Sequence, residues 1–95
     1  MSILISLVVP VYNEHESLAE LVNGIERAIR PLGRTYEIVF VDDGSTDTSL
    51  ELLQAMAASN PALRVYSFRR NLGKSPALTG GFQHAAGEYV FTLDA

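Results

Sequence analysis

Four short stretches of the sequence carry residue types that can do chemistry. Pro10-Val11-Tyr12-Asn13-Glu14 sets an aromatic ring beside a carboxylate, and Asp42-Asp43-Gly44-Ser45 sets two carboxylates against a glycine and a hydroxyl. Arg69-Arg70-Asn71-Leu72-Gly73-Lys74 is a basic loop with a glycine, and Asp94 adds a lone carboxylate. An aromatic ring can stack on a nucleobase, while carboxylates accept hydrogen bonds from a base N–H or a ribose hydroxyl. Lys74 and the arginines, with a helix amino terminus behind them, suit a diphosphate. A hard divalent cation such as Mg²⁺ or Mn²⁺ prefers carboxylate and phosphate oxygens, which gives Asp94 a metal role. Taken singly, each has a plainer reading. Tyr12 can be packing, Asp42 to Ser45 a capped loop, and the cations solvated surface. His15 and His84, far apart in sequence, make no metal pair. The nucleotide reading rests on convergence, so the elements between the stretches must bring them to one place.

They are spaced to do so. Ile3 to Val9 reads as a buried strand ended by Pro10, which cannot donate to a ladder. Tyr36 to Val41 is a second strand, and its β-branched and aromatic run Ile38 to Val41 suits burial on both faces of a parallel sheet. Leu63 to Phe68 and Glu88 to Leu93 are a third and a fourth. Between them lie three amphipathic helices. Asn13, with Glu16 three residues on, has the chemistry to cap the first, whose stripe is Leu18, Leu21, Val22, Ile25, Ile29 and Leu32. Thr48 with Glu51 fits a capping box for the second, which stops at Ser59-Asn60-Pro61. Ser75-Pro76 suits the start of the third. Gly80-Gly81 weakens that helix by about 1 kcal/mol per glycine, a cost that close packing would explain. The order β-α-β-α-β-α-β implies right-handed crossovers and an α/β fold, a parallel sheet with helices on both faces. Ligands of such sheets bind beyond the carboxyl ends of the strands, where all four stretches fall.

Composition narrows the class. The 95 residues are 47% hydrophobic, enough for one small core, though a chain this short buries only about 60–70% of its unfolded surface. A net charge of −4 argues against a nucleic-acid partner, which basic surface would attract. Without cysteine there is neither a disulfide framework nor thiolate chemistry. The apolar run Ile3 to Tyr12 falls short of the roughly 20 residues a spanning helix needs, and Met1-Ser2 lacks a signal peptide's charged start. A fourth strand that reaches Asp94 just before the last residue suggests the amino-terminal part of a longer protein.

In this order and spacing the residues resemble the amino-terminal half of family-2 glycosyltransferases with a GT-A-type fold, which would make residues 1–95 the nucleotide-sugar-binding part of a longer glycosyltransferase domain. The matching pieces are Val8-Val9-Pro10-Val11-Tyr12-Asn13-Glu14, Val41-Asp42-Asp43-Gly44-Ser45-Thr46-Asp47, Arg70-Asn71-Leu72-Gly73-Lys74 and Thr92-Leu93-Asp94-Ala95. The third piece, running on into Ser75-Pro76-Ala77-Leu78, looks most like the polyprenyl-phosphate hexosyltransferases, the dolichol-phosphate-mannose-synthase-like branch. The resemblance implies that Pro10, Tyr12, Glu14, Asp42 and Asp43 hold the nucleoside of a UDP- or GDP-sugar, with Lys74 near the phosphates. It makes Asp94 the first aspartate of an Asp-x-Asp metal motif, with Ala95 as the middle residue, and Mg²⁺ or Mn²⁺ the cofactor. It further implies inverting, metal-assisted hexosyl transfer to a lipid phosphate in the cell envelope. The full-length protein is expected at the cytoplasmic side of the membrane, while these 95 residues are soluble in character and not expected to turn over alone.

Rival readings fit less well. A phospho-receiver domain carries its acidic pair after the first strand, whereas here the pair follows the second. A dinucleotide-binding Rossmann half would open its first helix with Gly-x-Gly-x-x-Gly, which is absent. Two alternatives stand: a non-catalytic nucleotide-binding module, and a glycosyltransferase acting on a hydroxyl acceptor in polysaccharide synthesis, where a carboxylate base must take the acceptor proton.

Overall fold

The computed structural model describes residues 3–94. Four strands, β1 (Ile5–Val11), β2 (Tyr36–Asp42), β3 (Leu63–Ser67) and β4 (Tyr89–Thr92), form one parallel sheet in the order β3-β2-β1-β4. Helices α1 (Leu18–Ile29), α2 (Ser49–Ser59) and α3 (Lys74–His84) connect them. The expected α/β alternation is therefore the observed one. The first two crossovers step outward from β1, and the third returns across the sheet to β4. Strand order reverses between β1 and β4, and a reversal of this kind opens a crevice at the carboxyl edge.

Each face of the sheet is covered by residues that the pleat points to it. Val9, Val11, Ile38 and Phe40 pack with Leu18, Val22, Ile25, Ile29 and Leu53, which places α1 and α2 on one face. Val8, Val39 and Val41 pack with Ala77 of α3 on the other. Close packing explains one glycine of the pair, Gly81, whereas a Cβ on Gly80 would make only ordinary contact with Phe68 at 3.5 Å. A Cβ on Gly81 would fall 2.2 Å from Cγ1 of Val8, so α3 lies directly on the strand. The outer strand β4 is exposed along its length.

Pro10 does not end β1. It sits inside the strand, in register with Val41. The reason lies in which neighbour its nitrogen faces. Val11 O accepts the N–H of Asp43, toward β2, whereas Val8 O accepts the N–H of Leu93, toward β4. Donors and acceptors alternate sides along a strand, so the donor missing at Pro10 faces β4. Pairing with β4 stops at Val8↔Thr92 while pairing with β2 runs on to Val11↔Asp42. The proline unzips one side of its strand only, and the crevice opens there.

The helix starts also depart from expectation. A 3₁₀ turn over His15–Ser17 precedes α1, and Asn13 makes no helix cap. Its side chain is spent on another loop. α1 ends at Ile29, and a 3₁₀ turn (Arg30–Leu32) leaves Leu32 exposed instead of on the inner stripe. For α2, Thr48 forms no capping box; Asp47 Oδ1 accepts the Ser49 N–H at 2.9 Å in its place. α3 begins at Lys74, ahead of Ser75-Pro76, behind Gly73 in a left-handed conformation of φ 105°.

Candidate nucleotide-binding cleft

The carboxyl ends of all four strands meet at a cleft of about 530 Å³. Pro10, Val11, Tyr12 and Glu14 come from the end of β1 and the turn after it, and Asp43 from just beyond β2. Asn71 and Gly73 come from the β3–α3 loop, Lys74 from the start of α3, and Asp94 from just beyond β4. Six of the seven residues singled out from sequence, Pro10, Tyr12, Glu14, Asp43, Lys74 and Asp94, therefore line one space. Tyr12 is 44% exposed, so its ring has a face available for stacking. Arg69 and Arg70 are exposed and lie off the cleft lining.

The acidic pair divides its work, because successive side chains at a strand end point opposite ways. Asp42, the seventh residue, is buried and does not line the cleft. Its Oδ1 accepts from Ser45 Oγ at 2.5 Å and its Oδ2 from Ser45 N at 3.2 Å, which closes the turn after β2. Asp43 turns the other way. Oδ1 accepts from Leu72 N at 2.8 Å, and Oδ2 accepts from Gly73 N and from Asn71 Nδ2, both at 3.0 Å. Asn71 Nδ2 also reaches the Asp43 carbonyl at 3.1 Å. Asp43 is thus the anchor of the loop that leads into α3, and by holding Gly73 it sets where Lys74 begins the helix.

Gly44 makes this arrangement possible. Its φ of 69° is left-handed, and a Cβ there would lie 2.1 Å from the Arg70 carbonyl carbon and 2.3 Å from Asn71 N. No side chain fits between the two backbones. Sequence reasoning placed Gly44 in the motif without this reason, and it treated Asn71 as motif context, although Asn71 both lines the cleft and braces Asp43.

Lys74 Nζ pairs with Asp94 Oδ1 at 2.5 Å across the cleft mouth, with both side chains largely exposed at 59% and 72%. An exposed pair of this kind is worth about 0–1 kcal/mol, so a ligand can part it at little cost. The α3 amino terminus lies at the same place and adds its unpaired N–H groups and positive dipole end. Among the described residues no group of three or more His, Cys, Asp or Glu side chains gathers as a metal site. Asp94, just beyond β4, brings a carboxylate to the cleft lining, and a hard ion held there would complete its shell with diphosphate oxygens and water. Ala95, the expected middle residue of the metal motif, lies outside the described residues. The histidines are elsewhere: His15 Nδ1 is 2.8 Å from Thr48 Oγ1, and His84 stacks on Tyr66 with ring centroids 3.8 Å apart.

A parallel sheet with its cleft at the reversal of strand order, lined by an aromatic ring, carboxylates and a helix-borne lysine, defines an α/β fold with its candidate site at the carboxyl edge. The chain belongs to glycosyl transferase family 2, whose family profile matches residues 6–95. It is 50% identical over 93 residues to the undecaprenyl-phosphate 4-deoxy-4-formamido-L-arabinose transferase of Pseudomonas paraeruginosa. It is 47% identical over 93 residues to the enzyme of that name in Edwardsiella ictaluri. These alignments cover 97% and 96% of this chain, which spans 27% and 28% of the length of those relatives. Among solved structures it is similar to the mannosyltransferase PcManGT of Pyrobaculum calidifontis in complex with GDP-Man and Mn²⁺. That match has a TM-score of 0.85 and 30% identity, and covers 99% of this chain and 28% of that one. TarS 1-349 of S. aureus matches with a TM-score of 0.83 and 29% identity, over 97% of this chain and 27% of the other. The GT-A-type fold expected from the sequence is the fold observed. No helix of the described residues is long and apolar enough to cross a membrane.

Proposed function

We propose that the cleft binds the nucleoside diphosphate of a UDP- or GDP-sugar, and that the whole protein transfers the glycosyl group, with inversion, to a polyprenyl phosphate. The observation that carries this reading is the convergence of Pro10, Tyr12, Glu14, Asp43, Lys74 and Asp94 from four strand ends on one space. In this reading Tyr12 stacks on the base, and Glu14 and Asp43 border the nucleoside. Asp42 acts from behind, by holding the turn after β2. Lys74 and the α3 amino terminus take the diphosphate. Asp94 would hold a divalent ion, Mg²⁺ or Mn²⁺, which when bound stabilises charge on the leaving diphosphate. PcManGT, with GDP-Man and Mn²⁺, supports this donor chemistry. A lipid phosphate is already ionised at neutral pH, so the acceptor needs little help from a base. The acceptor named for the relatives, undecaprenyl phosphate, favours it over a hydroxyl acceptor, and a lipid acceptor is in keeping with action of the whole protein at the cytoplasmic side of the membrane.

The hexosyl group expected from sequence has its counterpart in the mannose of the structural neighbour. The relatives' names carry a formamido-arabinose, a pentose derivative, so both sugars belong in the test. Calorimetry of the chain with UDP and GDP, with and without Mn²⁺, should show binding of one nucleotide strengthened by the ion. Asp94→Asn should remove most of that strengthening. Sugar transfer to undecaprenyl phosphate by the whole protein should stop with chelator and return with Mn²⁺. Failure of both nucleotides to bind in the presence of Mn²⁺ would overturn the reading.

A further inference from the structure

Asn13 joins two loops at the carboxyl edge, and we infer that it is a positioning residue for the cleft, a role that rests on the nucleotide reading above. It is the one non-glycine among the described residues with a positive φ, 53°. Asn tolerates the left-handed region better than most residues, though not without cost. That backbone turn is what lets Tyr12 and Glu14, its two neighbours in sequence, both line the cleft while Asn13 itself does not.

The side chain of Asn13 turns to the loop after β2. Its Oδ1 accepts from Thr46 N at 2.8 Å and Asp47 N at 3.2 Å, and its Nδ2 lies 3.2 Å from Thr46 Oγ1. Its backbone N–H donates to Ser45 Oγ at 2.9 Å. The same Ser45 hydroxyl donates to buried Asp42. On the far side, Glu14 N donates to Ser49 Oγ at 3.0 Å, where α2 begins. A continuous relay therefore runs from Asp42 through Ser45 to Asn13, and from Asn13 to the two cleft residues that flank it. The relay fixes the backbone that carries Tyr12 and Glu14 relative to β2 before any ligand arrives, while Ser17 Oγ donates to the Glu14 carboxylate at 3.1 Å. Such pre-organisation raises affinity by lowering the cost of ordering. It also gives Asp42 a route to the site without touching a ligand.

Two variants separate the parts. Asn13→Gly keeps the left-handed backbone accessible and removes every side-chain bond. Asn13→Asp keeps an acceptor for the Thr46 and Asp47 N–H groups. Hydrogen exchange in the Asn13→Gly chain should accelerate roughly 10-fold at the Thr46 and Asp47 amides, the equivalent of one lost hydrogen bond, with β1 and β2 protected as before. Its Kd for the nucleotide that the wild-type chain binds, UDP or GDP, should rise about 10-fold below the thermal midpoint, and Asn13→Asp should recover most of that loss. A residue that only stabilised the fold would lower the midpoint and leave the Kd alone. Failure of the wild-type chain to bind either nucleotide would overturn the cleft reading and the positioning role with it. Normal wild-type binding with an unchanged Kd in Asn13→Gly, or unchanged exchange at Thr46 and Asp47, would overturn the positioning role alone.

Discussion

The two edges of the sheet use the same device to opposite ends. At the carboxyl edge, Asp43 of the β2 terminus accepts N–H groups from Leu72 and Gly73, just before α3. At the amino edge, Glu37 of the same strand accepts the N–H of Ala86, just after α3, at 2.7 Å. Ser6 extends the second clamp, donating to Glu37 Oε2 at 2.6 Å and accepting from Gly87 N at 2.8 Å. Helix α3 is thus tied at both ends to β2. The difference is what lies beyond each carboxylate. Arg64 Nε covers Glu37 Oε1 at 3.1 Å as an ion pair, off the line of a hydrogen bond, and the side chain is 2% exposed. Asp43 is also buried, but it borders the open cleft. A buried carboxylate that gathers loop amides is therefore no sign of function by itself. The adjoining space decides.

This contrast can be broken by substitution. Glu37→Ala has the largest expected effect on stability, about 2–4 kcal/mol, because it leaves the buried Ser6 hydroxyl and the Ala86 N–H without their acceptor and half-exposed Arg64 without its partner. Against a total of roughly 5–15 kcal/mol for a domain, that leaves a marginal fold. Urea denaturation measures it, and nucleotide affinity of the fraction that stays folded should match wild type. A loss below about 1 kcal/mol would mean that the amino-edge clamp is slack. Asp43→Asn comes next. It sets an amide N–H₂ against donors already aimed at the carboxylate and should cost about 1–3 kcal/mol. Unlike the Glu37 variant, it should also weaken UDP or GDP binding. An Asp43 variant with reduced stability and wild-type affinity would make the two edges equivalent after all.

The smallest effect concerns a second carboxylate at the amino edge. The Tyr36 hydroxyl, donating at 2.7 Å, holds the Glu26 carboxyl below its usual value of 4.5, with help from Asn60 and Arg30. A depressed carboxyl contributes stability that is present above the unfolded-state value and lost as pH falls toward the folded one. Denaturation midpoints should therefore drop as pH falls below about 4.5. Tyr36→Phe should cost about 1 kcal/mol at pH 7 and make that drop shallower. An identical acid profile in the variant would remove Tyr36 as the cause.

The sheet, its helices and the edge that carries the cleft were legible in sequence because each rests on long apolar runs and their alternation. What escaped was polar chemistry between segments distant in sequence. Asn13 reads as a helix cap because Asn-x-x-Glu is local chemistry, yet its partners lie 33 and 34 positions away. Asp42 and Asp43 look alike on paper, and only the pleat separates a turn-closing residue from one on the cleft. Pro10 reads as a strand end, because the sequence does not tell which neighbour a missing donor will face.

The contact at Gly44 has a consequence for how this site can diversify. Where the loops after β2 and β3 meet, the partition beside the cleft is main chain against main chain, with no room for a Cβ. Its position is set by peptide geometry and not by the size of any side chain. Neighbouring exposed residues such as Thr46, Arg69 and Arg70 can therefore be exchanged without moving the partition. Such a site can acquire new preferences by redecoration, since its masonry does not depend on the ornament.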